Sequence, residues 1–341
     1  MSTRFPNIGE INVKETLQNR RIIAAILVFV LLALVPATGR GYETFLVLWV
    51  MCFAIVAMGF NVLLGYTGLL SFGHAAFFGG AAYAVAIGSQ RFGIESLLVL
   101  LVFAVFVAAV LGLIIGLLSL RSHEIYFALL TLALAQLLWV VSVRDLYGLT
   151  GGTDGMSVGR PDFLGSGVNE LAFNTYIMGF YYYIVLIFLA LTVIFLWFVL
   201  RSPFGLTLKM IRENPERAEL TGVPVKRYRL YSFVMSAMIT GLGGALYAVQ
   251  LGRITPDQIH WILSGEIVFM VLLGGIGTFI GPAIGALGFI GLQEFALTYT
   301  EYWHFTMGII LFAIVVTLRE RGVWGGLTDL PEFINQRRDE K

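Results

Sequence analysis

Apolar runs long enough to cross a bilayer, separated by short polar stretches, dominate this chain and dictate its fold class. A hydrocarbon core of about 30 Å takes roughly 20 apolar residues in helical form. The runs at 22–38, 44–64, 72–88, 96–118, 125–143, 177–200, 230–250, 265–281, 284–300 and 305–318 meet or approach that length. The expectation is an all-α polytopic membrane protein of ten transmembrane helices. Eight is the alternative, if a neighbouring pair fails to cross. The third, eighth and ninth runs are short and rich in Gly, which predicts broken or re-entrant helices there. Composition agrees. Of the 341 residues, 58% are hydrophobic and 13% charged, against about 25% charged in soluble domains. A net charge of +1 gives no footing for nucleic acid.

Lys and Arg are sorted by loop. Placing segment 201–229 inside puts Arg4, Lys14, Arg20, Arg21, Arg121 and the tail with Arg319, Arg321, Arg337, Arg338 and Lys341 on the same side. Arg40, Arg91, Arg144, Arg160 and Arg253 fall outside. The positive-inside rule then predicts that both termini are cytoplasmic. Residues 1–21 read as a cytoplasmic segment, 22–327 as the membrane domain and 328–341 as a cytoplasmic tail. The first apolar run follows a long polar stretch and lacks a small-residue cleavage site, so it reads as a retained span. Cys52 is the single cysteine, which excludes an intramolecular disulfide and a Cys-based zinc site.

The chain carries no G-x-x-x-x-G-K-[ST] phosphate cradle, so it cannot hydrolyse ATP by that machinery. Its spans are also poor in the carboxylates that proton-coupled carriers need. What remains is a passive channel or a subunit powered by a partner. Segment 201–229, RSPFGLTLKMIRENPERAELTGVPVKRYR, bears on that choice. Ser202-Pro203 and Asn214-Pro215 are both N-cap-plus-Pro signals, and Gly222 ends the second helix, expected at 215–221. Two capped helices make a docking surface for a cytoplasmic partner. The blander reading is a solvated basic loop.

Segment 65–88, GYTGLLSFGHAAFFGGAAYAVAIG, is crowded with small residues that let helix backbones approach. Gly65, Gly68 and Gly73 predict a break just before a helix N-terminus, an end that attracts substrate carboxylates. Ser71, Gly73 and His74 are therefore candidates for the substrate pathway; the competing role for Ser71 and His74 is interhelical hydrogen bonding. His123, His260 and His304 have no metal-ligand spacing with His74. The small-xxx-small patterns at Gly112-Gly116 and Gly277-Gly281-Gly285 point to packing. Glu266 and Glu294 are the acidic residues within the expected spans. Glu294 lies deeper and is a further pathway candidate. The TGGTDG turn at 150–155 has too few hard oxygen ligands for calcium and reads as a shaped turn at the pathway mouth.

Four segments together carry a family resemblance: NVLLGYTGLLSFGHAAFFGGAAY, EIYFALLTLALAQ with the following TGGTDG, RENPERAELTGVPVKRYRLYSFVMSAMITGLGGALYA, and MVLLGGIGTFIGPAIGA. With the closing WHFTMGIILFAIVV they cover roughly residues 44–327. In these segments the chain resembles the LivM-type permease subunits of bacterial ABC importers for branched-chain amino acids. The resemblance implies a multi-pass protein of the bacterial inner membrane, paired in the lipid bilayer with a second, related permease. It also implies two cytoplasmic ATP-binding subunits, which hold the ATP and Mg, and an extracytoplasmic amino-acid-binding protein. The chain itself would be non-catalytic, with no cofactor or metal of its own. The family's ATPase-coupling motif corresponds to Arg212, Glu213, Pro215, Glu216, Arg217, Ala218 and Gly222. Where that motif usually has Ala-Ala after Glu, this chain has Arg217-Ala218, while the Ala218-x-x-x-Gly222 spacing is kept.

The functional expectation is import of leucine, isoleucine or valine by alternating access. Sister permeases for urea or short amides are the alternative within the fold, and a passive small-solute channel is the alternative outside it.

Overall fold

A computed structural model describes residues 26–122, 124–163, 165, 167–299 and 305–310, together with 23, 302 and 312. The cytoplasmic segment expected at 1–21, half of the last run and the basic tail lie outside these residues. The helices are α1 (Ile26–Thr38), α2 (Gly41–Asn61), α3 (His74–Gln90), α4 (Leu97–Ser119), α5 (Glu124–Val143), α6 (Phe173–Arg201), α7 (Pro203–Glu213), α8 (Pro215–Leu220), α9 (Val225–Leu251), α10 (Trp261–Gly274) and α11 (Gly281–Tyr299). Among the described residues, five helical stretches are long and apolar enough to cross a membrane: Gly41–Thr67, Leu97–Ser119, Ile125–Val143, Phe173–Arg201 and Val225–Leu251. Ile26–Thr38 and Trp261–Gly274 are shorter apolar helices. The protein is an all-α polytopic membrane protein.

Burial separates inner helices from outer ones. The most apolar windows of α2 and α9 are 78% and 72% buried, against 33%, 28% and 39% for α4, α5 and α6. The outer helices turn residues such as Val102, Phe106, Leu129, Ile187 and Phe198 outwards, where lipid or another subunit can cover them. Helix α9 is central because it is smooth. A Cβ at Gly243 would run into Val56 of α2, at Gly244 into the Phe78 carbonyl of α3, and at Gly241 into Ala108 of α4. Without a hydrophobic drive between helices inside lipid, such backbone contact is what gives packing its strength.

The Gly-rich run at 265–281, where a broken helix was expected, does not form one continuous helix: α10 starts at Trp261 and ends at Gly274. Gly275 takes φ 111°, which no right-handed helix continues. Residues 275–280 form a turn, and α11 returns antiparallel to α10.

At the far end of α5 the TGGTDG turn is held by hydrogen bonds to Asp145. Asp145 sits in the left-handed region at φ 46°. Its carboxylate accepts from Thr150 N (2.7 Å), Thr150 Oγ1 (3.0 Å) and Gly151 N (3.0 Å). Arg253 then donates twice to the Asp154 carbonyl, at 2.9 and 2.7 Å. Strand β1 (Met156–Ser157) pairs antiparallel with β2 (Arg253–Ile254), tying this loop to the start of α10.

The donors at Thr150, first its backbone N–H, hold the Asp145 carboxyl below the usual carboxylate range. A depressed pKa stabilises above the ordinary carboxylate value and is lost as pH falls through the depressed one. Limited proteolysis within 145–157 is therefore expected to stay low from pH 7 down to the carboxylate range and to rise below it. Asp145→Ala is expected to show the acid pattern already at pH 7. An unchanged cleavage profile in that variant would remove Asp145 as the anchor of the turn.

Candidate functional site

The site is built from two breaks in otherwise helical chain. At the first, α2 widens into a π-helical turn over Val62–Thr67, and Gly68 closes it at φ 79°. Six residues later α3 begins, with Gly73 as its N-cap. A break of this kind exposes amides and carbonyls that the membrane interior cannot satisfy. Protein side chains take them. Phe72 N donates to Thr131 Oγ1 of α5 (3.2 Å), and Ala75 N donates to Ser264 Oγ of α10 (2.9 Å). Gly73 N donates to Ser71 Oγ at 3.2 Å.

Ser71 and His74 are both fully buried. Ser236 Oγ of α9 donates to the Gly59 carbonyl at 2.8 Å. Its single proton is thereby spent, so the 2.8 Å contact to His74 Nε2 requires His74 to be the donor there. Nδ1 is then the acceptor, and Ser71 Oγ donates to it at 3.2 Å. The ring is a neutral tautomer with both nitrogens engaged. Phe60, Phe77 and Phe233 surround it edge-on, with centroids 4.5, 5.2 and 6.0 Å away. No group of three metal-ligating side chains occurs among the described residues.

The second break is the 275–280 turn, and Asn61 joins it to the first. Asn61 Nδ2 donates to the Thr278 carbonyl (2.8 Å), and Gly277 N donates to Asn61 Oδ1 (3.0 Å). From below, Arg212 at the end of α7 donates Nη1–H to the Gly65 carbonyl. Its aliphatic stem lies against Gly68, and its guanidinium lies against Gly277. Lys209, one turn earlier, is 5.4 Å from the Tyr66 ring centroid.

Helices α7 and α8 both begin at the expected prolines, but Ser202 does not cap α7 with its side chain: its Oγ donates back to the Val199 carbonyl at 2.7 Å. α7 buries Gly205, Leu208 and Ile211. Asn214 caps α8 by accepting from Arg217 N at 2.9 Å, and Pro215 is its first residue. Ala218 is buried with Ile211 and Val225. Glu213, Glu216, Arg217 and Glu219 point to solvent, Leu220 is 89% exposed, and Gly222 takes φ 86°. The result is a small platform whose inner face is apolar and whose outer face is charged around one projecting leucine.

The family model for the branched-chain amino acid transport system permease component matches residues 42–315. The chain belongs to this permease family. The permease is 24% identical over 283 residues to the high-affinity branched-chain amino acid transport permease protein LivM of Escherichia coli, covering 78% of this chain and 66% of that one. It is 24% identical over 299 residues to a probable LivM of Methanocaldococcus jannaschii, covering 77% and 84%. It is 28% identical over 242 residues to the galactose/methyl galactoside import permease MglC of Salmonella typhimurium, covering 65% and 66%. The match thus spans just under two thirds of the Escherichia coli relative. No solved structure matches the permease.

The structure brings Ser71, Gly73 and His74 together but leaves Glu294 elsewhere. Glu294, on α11, accepts from the Tyr42 hydroxyl at the start of α2. Tyr42 and Gly59 are 17 positions apart on α2, about 25 Å along the axis. The α3 N-terminus, expected to face a carboxylate, is filled by protein, because a buried amide without an acceptor costs more than the helix end gains. Asn61, Thr131, Ser236 and Ser264 were not singled out from the sequence. Asn61 was legible, as a full amide in an apolar run; lone Ser and Thr are too common in membrane helices to stand out.

Ser236→Ala strands the His74 Nε2–H in an apolar cage, at a cost of about 1–3 kcal/mol. The melting temperature of the detergent-solubilised permease is expected to fall. Unchanged melting would mean that the histidine is not a tie between α3 and α9.

Proposed function

We propose that the permease is the non-catalytic transmembrane subunit of an ATP-driven importer for leucine, isoleucine and valine. On this reading it crosses the bacterial inner membrane ten times with both termini cytoplasmic, spanning residues 22–327 between terminal segments 1–21 and 328–341. It works beside a second permease, two ATP-binding subunits that hold the ATP and Mg, and an extracytoplasmic binding protein. The family membership supports the class, and the names of the LivM relatives support the substrate.

The observation that carries the mechanism is Arg212. It belongs to the coupling segment 201–229 and also holds the Gly65 carbonyl beside Gly277. When the ATPases close or open, the outer face of α7 and α8, with Glu213, Glu216, Arg217 and Leu220, moves with them. Pro215 and Gly222 bound the moving unit, and Ala218 seats it on α9. Arg212 passes that displacement to both helix breaks at once. Rigid hydrogen-bonded units on either side of flexible glycines are what an alternating-access device needs. Ser71, Gly73 and His74 serve the pathway by holding α3 in place, and Glu294 with Tyr42 forms part of its outer rim.

The test is reconstitution of the chain with its co-purifying partners and the binding protein in proteoliposomes. Labelled leucine is expected to enter only with ATP, and deletion of 215–221 is expected to abolish entry. Uptake of labelled urea alone would assign the chain to the sister permeases; leucine entry indifferent to ATP would make it a channel.

A hydrogen bond from a charged donor contributes about 1.5–3 kcal/mol, or roughly ten- to hundredfold in a switching equilibrium. Arg212→Ala is therefore expected to cut ATP-driven uptake at least tenfold while the assembled complex still hydrolyses ATP. Uptake and hydrolysis falling in the same proportion would show that Arg212 does not transmit the stroke.

A further inference from the structure

We infer a binding site for a zwitterionic aliphatic amino acid at the N-terminus of α10, formed with one face each of α3 and α5; this rests on the importer reading above. Between β2 and α10 the chain makes a 3-10 turn, Pro256–Ile259, closed by a Thr255–Gln258 capping box. The turn packs along α3, where a Cβ at Gly79 would come within 2.8 Å of the Gln258 carbonyl. α10 then starts behind His260, whose side chain makes no cap bond. Leu263 N donates to the His260 carbonyl at 3.1 Å, which leaves the Trp261 and Ile262 amides at the positive end of the helix dipole.

Three polar side-chain atoms around this N-terminus are buried without a hydrogen-bond partner: Tyr83 Oη, Gln136 Oε1 and Trp139 Nε1. Tyr83 is only 4% exposed. It lies one turn beyond Gly79 on the same face of α3, and its hydroxyl is within electrostatic reach of Asp257 in the 3-10 turn. Trp139 meets the His260 ring edge-on, with centroids 5.2 Å apart. Gln136, three residues earlier, shares that face of α5.

The three also sit at related depths. Phe72 bonds to Thr131 at one end of the α3–α5 pair, and Arg91 bonds to the Gly148 carbonyl at the other. The two helices therefore run parallel. At 1.5 Å per residue, Trp139 stands about 12 Å beyond Thr131, and Tyr83 about 14 Å beyond His74. Gln136 lies about one turn lower.

Buried polar atoms are nearly always satisfied, and three unsatisfied ones beside an uncapped helix end mark a place where a ligand completes the bonding. Their chemistry divides in two. The α10 amides and the Trp139 N–H donate, which suits a carboxylate. Gln136 Oε1 accepts and Tyr83 Oη can accept, with the Asp257 carboxylate nearby, which suits an ammonium. The aliphatic side chain has Ile259 and the indole for a wall. The three atoms are shut off from solvent in this conformation, so this is the closed form of the site.

The test uses the reconstituted complex with its binding protein and measures the KM and maximal rate of ATP-driven leucine uptake, with complex melting in parallel. Tyr83→Phe, Gln136→Leu and Trp139→Phe are each expected to raise KM roughly tenfold or more with assembly intact. Gln136→Leu is further expected to lose discrimination against 4-methylpentanoate, which lacks the ammonium group. If the orphan atoms are mere packing defects, Tyr83→Phe melts higher at unchanged KM, and that result overturns the site. Where one variant fails to assemble, the KM of the other two decides. A wild-type complex that moves no leucine with ATP would instead overturn the importer reading.

Discussion

Wherever a helix stops inside a hydrocarbon layer, protein has to supply the hydrogen bonds that water would supply elsewhere. This structure depends on how that demand is met at two glycine-rich breaks, 65–73 and 275–280. Each break is held by polar side chains from neighbouring helices: Asn61, Thr131, Ser236 and Ser264. A non-helical stretch within the membrane is tolerable only with such partners, so the residues that satisfy a break also decide which helices sit beside it. That is why α2, α3, α5, α9 and α10 converge. The smooth glycine face of α9 lets them come close enough.

Much of this architecture was legible in the chain, for physical reasons that can be named. Length and hydropathy suffice for membrane helices because the solvent penalises every alternative. The helix starts at Pro203 and Pro215 were legible because the signals are local, although only Asn214, not Ser202, caps its helix with a side chain. For α10 the Gly content of the run suggested a break but not its place, because the apolar run continues through Gly275 and only the backbone angle locates the turn. The partners of His74 were not legible either. Nothing in the sequence distance between His74 and Ser236 says that they touch, and Ser236 looks like any other small helix residue.

The choice of half-helix shows the same limit more sharply. From the sequence, Gly73-His74 is the obvious helix start inside the membrane, and a carboxylate site at Ser71 follows from it. Sequence cannot say whether another helix has already filled that end. Here Ser264 has, donated by α10. The start of α10, behind His260, also has no side-chain cap, at a position the hydropathy pattern places outside the span.

These facts give α10 a mechanical position of its own. Its 14 residues span about 21 Å. Its C-terminal end runs into the 275–280 turn, which Asn61 holds and Arg212 touches. Its first turns carry Ser264 against α3, and His260 just before it meets the Trp139 ring edge-on. Helix α10 is thus tied by side chains at both ends: to α2 and α7 through the 275–280 turn, and to α3 through Ser264. Gly275 and Gly277 take positive φ, so the chain leaves α10 abruptly there and the two tied ends stay only 14 residues apart.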